Sequence, residues 1–483
     1  MARLRMTLLG ATLCTTLQTM AWAPWPLPMD SADMGADSLK YGACLTAVTS
    51  TGDYAPFWLQ TNRGGAFAWQ PHSGNISIYA GKDATRPNRW YDYDFGIELT
   101  GQVHTQGGTG FLQQLYGHVR LYVFDITVGI KPVSWGNQDS ELSGGGFLFS
   151  QNAHPIPRIT IGIDRYTPFP FTYGYLEVKG GITHGWFADN VYVSHSYLHH
   201  KFVGVQIGGK LPVNINYEFH HAAQWGGTSP IYGALGSSFN DWKNVFLVRS
   251  GGVMSNDQLN AYGNHIGSQN LGLDIKWKDW KISAYWQNIF EDGPVKPIWS
   301  AMNISDGLWG LTVSQTKWPF IGKICYEFLQ TTDQSGPFHD RDGLVFGGDD
   351  NYFRNSVYRN GWNYFRRTIG TPFITSPLYN ADGTIYTLNN RVKAHYFAIT
   401  GDIYGFGYRA VASYVKNYGI YENGDATFST NTALLLEITK HIPKAWNMDF
   451  SLALAADFGT QFGNDFGVMV SIAKRGLIWH SNK

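Results

Sequence analysis

The stretch Trp446-Asn447-Met448-Asp449-Phe450-Ser451-Leu452-Ala453-Leu454-Ala455-Ala456-Asp457-Phe458-Gly459 reads as two interleaved sequences. Trp446, Met448, Phe450, Leu452, Leu454, Ala456 and Phe458 are mostly large and apolar, whereas the residues between them are small or polar. A period of two is that of a β-strand, whose successive side chains point to opposite faces. The same split separates Val213, Ile215, Tyr217 and Phe219 from Asn214, Asn216, Glu218 and His220. It returns in Leu271, Leu273, Ile275 and Trp277 against Gly272, Asp274 and Lys276.

A soluble sandwich also alternates, with its apolar face in a core. Two features turn the reading toward lipid. The segments run about ten residues or more, the length that crosses a bilayer at barrel tilt. Aromatic residues gather at segment ends, as Trp277 and Trp280 do, or Trp318 and Phe320, where interfacial girdles lie. Composition agrees: aromatics make up 16% of the 483 residues and charged residues only 15%. A lipid-facing wall favours aromatics and tolerates few charges. The 36 Lys and Arg equal the 36 Asp and Glu, so no net field draws nucleic acid to the chain.

The first residues read as an export signal. Arg3 and Arg5 precede a largely apolar run from Met6 to Met20, and small residues follow at Ala21 and Ala23. Cleavage after Ala21 is expected, because cleavage after Ala23 would leave Pro24 first. Residues 22–483 then form one barrel domain. Past the signal only Cys44 and Cys325 remain, too few for a disulfide framework. No later run is long and apolar enough for a spanning helix, so an integral chain must close as a barrel.

Connections alternate in length. Tight links fall near Lys210–Pro212, Lys278–Asp279, Lys317–Pro319, Tyr404–Gly407 and Ile442–Lys444. Long polar stretches lie between them, at 136–156, 225–265, 290–306, 333–391 and 419–430. Short periplasmic turns and long outer loops are the asymmetry of outer-membrane barrels. Counting segments gives about sixteen to eighteen antiparallel strands, with an even number required. The final strand is expected over Phe466–Ala473, and the sequence after it closes on Ile478-Trp479-His480-Ser481-Asn482-Lys483 rather than on a terminal aromatic.

Several ordered motifs add a resemblance. Ser143-Gly144-Gly145, then Ser150-Gln151-Asn152-Ala153-His154-Pro155-Ile156-Pro157-Arg158, then Lys179-Gly180-Gly181-Ile182-Thr183-His184-Gly185 follow one another. Tyr197-Leu198-His199-His200-Lys201 and Gln224-Trp225-Gly226-Gly227 come next. Ala55-Pro56-Phe57-Trp58-Leu59-Gln60-Thr61-Asn62-Arg63 lies before them, and Gly348-Asp349-Asp350-Asn351-Tyr352-Phe353 with Gly361-Trp362 and Ile369-Gly370-Thr371-Pro372 after. Together these resemble the capsule-assembly Wzi family of Bacteroidetes-type bacteria, although His154 stands where arginine is more usual. The resemblance implies a barrel of about eighteen strands with a small periplasmic helical element. It also implies a non-catalytic, lectin-like role: attaching capsular or extracellular polysaccharide at the outer membrane, without a cofactor and as a monomer.

If that role holds, the long stretch 333–391 is the expected binding surface. It carries Tyr352, Trp362, Tyr364, Arg366 and Arg367, and Trp225 opens the long stretch 225–265. Aromatic faces stack on sugar rings, and arginine forks match carboxylates of acidic polymers. Trp362 leads, because Gly361 and Asn363 suit an exposed turn. The alternative is that these aromatics pack the loop on itself and close the barrel mouth, since a loop this long needs a core.

Histidines form a second cluster. For apolar faces to match across the link near Lys210, His200 must lie opposite His220 or one pair away, on the lumen face with Glu218 nearby. Two imidazoles and a carboxylate are weak candidates for a metal site, lacking further evident ligands; a polar lumen network needs the same residues. No nucleophile elbow or metalloprotease motif is present. The expected function is polysaccharide attachment. An outer-membrane porin or sugar channel is the alternative, since barrels this wide can hold water. An outer-membrane hydrolase ranks below both.

Overall fold

A computed structural model of the chain describes residues 38–85, 89–249, 262–291, 303–336, 340–341, 344–345, 350–424, 426–443 and 445–480. The expected export signal lies outside them. The described residues form a closed antiparallel barrel of 18 strands. In chain order these are β1 (Ser38–Ser50), β2 (His72–Lys82), β3 (Tyr91–His104), β4 (Gly107–Leu121), β5 (Phe124–Ile130) and β6 (Arg158–Pro168). There follow β7 (Leu176–Trp186), β8 (Tyr197–Ile207), β9 (Val213–Trp225), β10 (Asn264–Trp277), β11 (Trp280–Glu291) and β12 (Gly307–Gln315). The last six are β13 (Lys323–Gln330), β14 (Val392–Ile403), β15 (Phe406–Asn417), β16 (Ser429–Ile442), β17 (Met448–Gly459) and β18 (Asp465–His480). Each pairs with its neighbour in sequence, and β1 pairs with both β2 and β18, which closes the wall.

The period-two reading holds along the strands. In β17, Asp449, Ala453, Ala455 and Asp457 are buried inward while Leu452 and Phe458 are exposed on the outer face. Ile76, Ile78, Leu99, Ile161, Val203, Ile215, Leu434 and Val470 extend the same exposed apolar belt around the barrel. Only a hydrocarbon surround makes such a belt favourable over so many strands. The chain is therefore a multi-pass β-barrel of the outer membrane.

Exposed aromatics ring the end where connections are short: Trp90, Tyr122, Phe171, Tyr173, Trp277, Trp318, Tyr404, Trp446 and Trp479. Rings with one polar edge suit the interfacial layer. The turns there are tight. Tyr404 and Gly405 both take positive φ, +56° and +75°, as the primed two-residue hairpin turn requires. The terminal segment finds its place as well. β18 runs through Ile478 and Trp479, with Trp479 opposite Leu39, so the strand is longer than its apolar period suggests.

One expectation is corrected. The two described α-helices, α1 (Phe57–Gln60) and α2 (Phe239–Leu247), both sit in connections at the long-loop end. A helical element at the short-turn end is absent among the described residues. The longer helix forms where its loop carries a local signal: Ser238 and Asp241 cap α2 reciprocally.

Candidate functional site

Three connections turn inward and fill the lumen. They are 51–71, between β1 and β2; 131–157, between β5 and β6; and the described part of 331–391, between β13 and β14. Their aromatic side chains share one core with the inner faces of the strands: Phe57, Trp58, Phe147, Tyr352, Trp362 and Phe373 are all buried in it. Phe57 stacks near Phe373 at 6.2 Å between ring centroids, and Trp362 meets Phe149 edge-on at 5.7 Å. Each such ring buries enough apolar surface that its truncation costs about 3–5 kcal/mol.

Polar contacts fix the same core. The Trp362 indole N–H donates to the Leu148 carbonyl at 2.9 Å, and the Asn152 amide donates to the Thr368 hydroxyl at 2.9 Å. Arg367 donates to the Gln60 side chain and, at 2.7 Å, to the Phe67 carbonyl. The wall holds the assembly in turn. Glu327 accepts from Ser143 at 2.6 Å and from the Gly144 N–H at 2.7 Å. Glu437 lies between Arg63 at 3.6 Å and Arg409 at 2.9 Å. At the short-turn end, Lys323 pairs with Asp139 at 2.9 Å and Glu141 at 2.7 Å. The 131–157 connection therefore reaches across the barrel to its opposite mouth.

This placement corrects the expected binding surface. Trp362 is fully buried, and Tyr352, Tyr364, Arg367 and Trp225 are buried too. None of them can touch a polymer outside the cell. Gly361 closes a turn from Tyr358 and Asn363 opens a two-residue strand paired with Thr368, but the turn packs against Phe353: a Cβ on Gly361 would sit 1.9 Å from the Phe353 carbonyl oxygen. Turn chemistry reports backbone shape and says nothing of solvent. Tyr352 donates its hydroxyl to Asp306 at 3.0 Å, and Trp225 packs on Tyr197 at 5.0 Å. Arg366 is half-buried and donates to the carbonyls of Pro377 and Thr384, at 3.1 and 3.4 Å. The alternative stated for this loop, a self-packed closure of the barrel mouth, describes it correctly.

The histidines lie where the register places them. His200 is opposite Ala222 and His220 opposite Phe202, so the two are one pair apart on the lumen face. His200 Nε2 and His220 Nδ1 share a hydrogen bond of 3.2 Å, and His220 Nε2 meets Glu218 at 3.0 Å. Glu218 is also occupied by Lys179 at 2.6 Å and by the Tyr166 hydroxyl at 2.9 Å. Among the described residues, no group of three or more His, Cys, Asp or Glu side chains is arranged to hold a metal ion. The cluster is a hydrogen-bonded strut.

Near the surface of the long-loop end lies a different set, half-buried apart from the exposed Tyr232, which the sequence did not single out. The Arg359 guanidinium lies over the Tyr192 ring at 5.5 Å and donates to the Tyr386 hydroxyl at 3.4 Å. Tyr232, exposed, stands alongside. Rings and an arginine fork at a rim are the groups that hold a sugar polymer by many modest contacts. Inside, between the loops and the wall of β1 to β4, a cavity of about 120 Å³ remains, lined by Arg63, Arg158, Asn75, Gln113, Trp135 and Phe149 among others.

No family model matches the sequence, and no curated protein matches it. Among solved structures the chain is similar to OprD of Pseudomonas aeruginosa, at 11% identity over 92% of this chain and 98% of that one, with a TM-score of 0.46. OccAB2 of Acinetobacter baumannii is similar at 8% identity, 92% and 98% coverage and a TM-score of 0.46. OccK7 (OpdD) of Pseudomonas aeruginosa follows at 8% identity, 92% and 100% coverage and 0.44. A likeness this distant carries no argument about substrate or activity.

Proposed function

We propose that this outer-membrane barrel works at its outer face, attaching an extracellular or capsular polysaccharide to the cell without catalysis. The observation that carries the reading is the filled lumen: three tethered connections share a continuous apolar core with the wall. Among the described residues these connections occupy the lumen, which favours a working surface at the long-loop end over a pore. The rim around Arg359, Tyr192 and Tyr232 supplies aromatic faces and a cationic fork there. The resemblance to capsule-assembly proteins supports the same role.

Two measurements test it. In a strain lacking the protein, total polysaccharide stays near normal while the shed fraction rises; loss of total yield would point to synthesis or export. Reconstituted in a planar bilayer, the protein passes no stepwise current.

A second reading, a substrate-selective channel, is favoured by the cavity left between the loops and the wall. Barrels of this width can carry an aqueous path when their contents move. Discrete conductance steps that respond to added sugar would favour it over attachment.

A further inference from the structure

Along β8 to β10 the outward face of the wall turns polar toward the long-loop end. Val203 on β8, Ile215 on β9 and Leu271 on β10 face out into the apolar belt, and residues two apart along a strand share a face. Past Val203 the next outward positions of β8 are Lys201 and His199. His221 of β9 stands opposite Lys201. Ala223 stands between His199 on one side and His265 of β10 on the other. His221 and His265 share a hydrogen bond of 2.9 Å, and His265 Nε2 donates to the Tyr262 carbonyl at 2.9 Å. A cation and three imidazoles would be costly against lipid. The three histidines are instead fully buried.

What covers them is α2. Its Trp242 and Phe246 rings lie 6.0 and 5.5 Å from the His199 ring, and Val245 packs with Ala223, Trp225 and Tyr262. Lys201 donates from its ammonium to the Phe246 carbonyl, in the last turn of the helix. Carbonyls there lack partners within the helix, and that end favours a positive charge. The helix therefore lies along the outside of the wall, unlike the three connections that turn inward. Phe239, Lys243 and Leu247 are spaced by four and form one stripe. Phe239 is 76% and Leu247 45% exposed, and Lys243 and Arg249 are exposed beside them.

We propose that α2 is seated in the outer leaflet of the membrane, where it replaces the strands as the lipid-facing surface of this sector. Lipid is the partner because the stripe continues the belt: Lys201, where the helix ends, is the next outward residue after the exposed Val203. Phe239 and Leu247 enter the acyl boundary, while Lys243 and Arg249 extend their long side chains to the phosphates. The polar outward face of β8 to β10 is then a bed for the helix. The seat is independent of the attachment reading.

The test uses the whole protein in vesicles of phosphatidylcholine and phosphatidylglycerol. Cys44 and Cys325 are replaced by serine, and a nitroxide is attached at Phe239→Cys or Leu247→Cys. Reference labels sit at Val203→Cys in the belt and Gly383→Cys in an outer loop. Oxygen concentrates among acyl chains and a nickel chelate in water, so the ratio of their collision rates reads depth. At 239 and at 247 the ratio falls nearer to that at 203 than to that at 383. A second variant, Phe239→Asp with Leu247→Asp, quickens amide exchange across α2 several-fold in the same vesicles and keeps the heat-modifiable mobility of the barrel. On a helix facing water these exposed changes would be close to neutral. If the cysteine-free protein does not fold, the aspartate pair decides. A ratio at either position equal to that at 383, spin–spin broadening from a second copy, or unchanged exchange in the aspartate pair overturns the proposal.

Discussion

The backbone N–H of Phe57 donates to Oδ2 of Asp457 at 2.8 Å, joining two residues 400 apart in the chain. Phe57 opens α1, and the residue before it, Pro56, has no side chain that can cap. The strand carboxylate does the capping from outside, where a helix start favours negative charge. The short helix therefore exists because the wall completes it.

Asp457→Ala should strand that buried N–H and loosen the 51–71 connection by about 1–3 kcal/mol. Hydrogen exchange of this segment should quicken while β16 and β17 keep their protection. Unchanged exchange would mean that Phe57 is held by ring packing alone.

Trp362→Ala should destabilise the lumen core by about 3–5 kcal/mol, seen as a lower denaturant midpoint. Arg359→Ala combined with Tyr232→Ala should leave that midpoint where it is and raise the shed polysaccharide fraction, since rim side chains carry little of the fold. A folded Arg359/Tyr232 variant that retains polymer like the wild type would move the contact surface elsewhere.

Two loop groups should give opposing pH effects. Burial, with the positive charge of Arg367 as a lesser cause, pushes His154 down to about 4. Burial pushes Asp306 up to about 6, despite donors from Gln334, Asp333 and Tyr352. The unfolded values are about 6.5 for His and 3.9 for Asp. The His154 contribution is present above about 6.5 and is lost as pH falls toward 4. The Asp306 contribution is present below about 3.9 and is lost as pH rises through 6. Between pH 4 and 6 the slopes offset. His154→Gln should leave a core that becomes more protease-sensitive as pH rises through this window, and Asp306→Asn one that becomes less so. Parallel profiles for both variants would contradict the assignment.

A tag inserted after Gly383 should be labelled on intact cells by an impermeant reagent. Gly383 is exposed, at φ +78°, and a side chain begun there would meet nothing within 4 Å, so added residues disturb no packing. Labelling only after lysis would invert the orientation of the barrel.

Much of the wall was legible because a lipid-facing strand must alternate. Ile215 and Asn216 separate by period alone, and the same rule set His200 one pair from His220. The lumen was not legible. A loop aromatic in solvent and one in a barrel's interior follow the same turn chemistry, so Gly361 could not say which way Trp362 points. The end of β18 was hidden for a related reason. Lys474 and Arg475 interrupt the apolar period there, and Arg475 faces inward to pair with Asp449 at 3.2 Å. The rim residues Tyr192, Tyr232 and Arg359 come from separate connections, so their meeting carries no signal in a linear reading.

The seam between β1 and β18 has a consequence for assembly. The lumen contents are not a cork pressed into a finished cylinder. Each of the three connections is tied at both ends to adjacent staves, so its packing is coupled to the wall that carries it. Nor can they be ejected afterwards as a unit. Any passage through this protein would have to come from side chains and loop segments shifting in place, and a mutation that delays seam closure should trap precursors with their core aromatics still reachable by dye or protease.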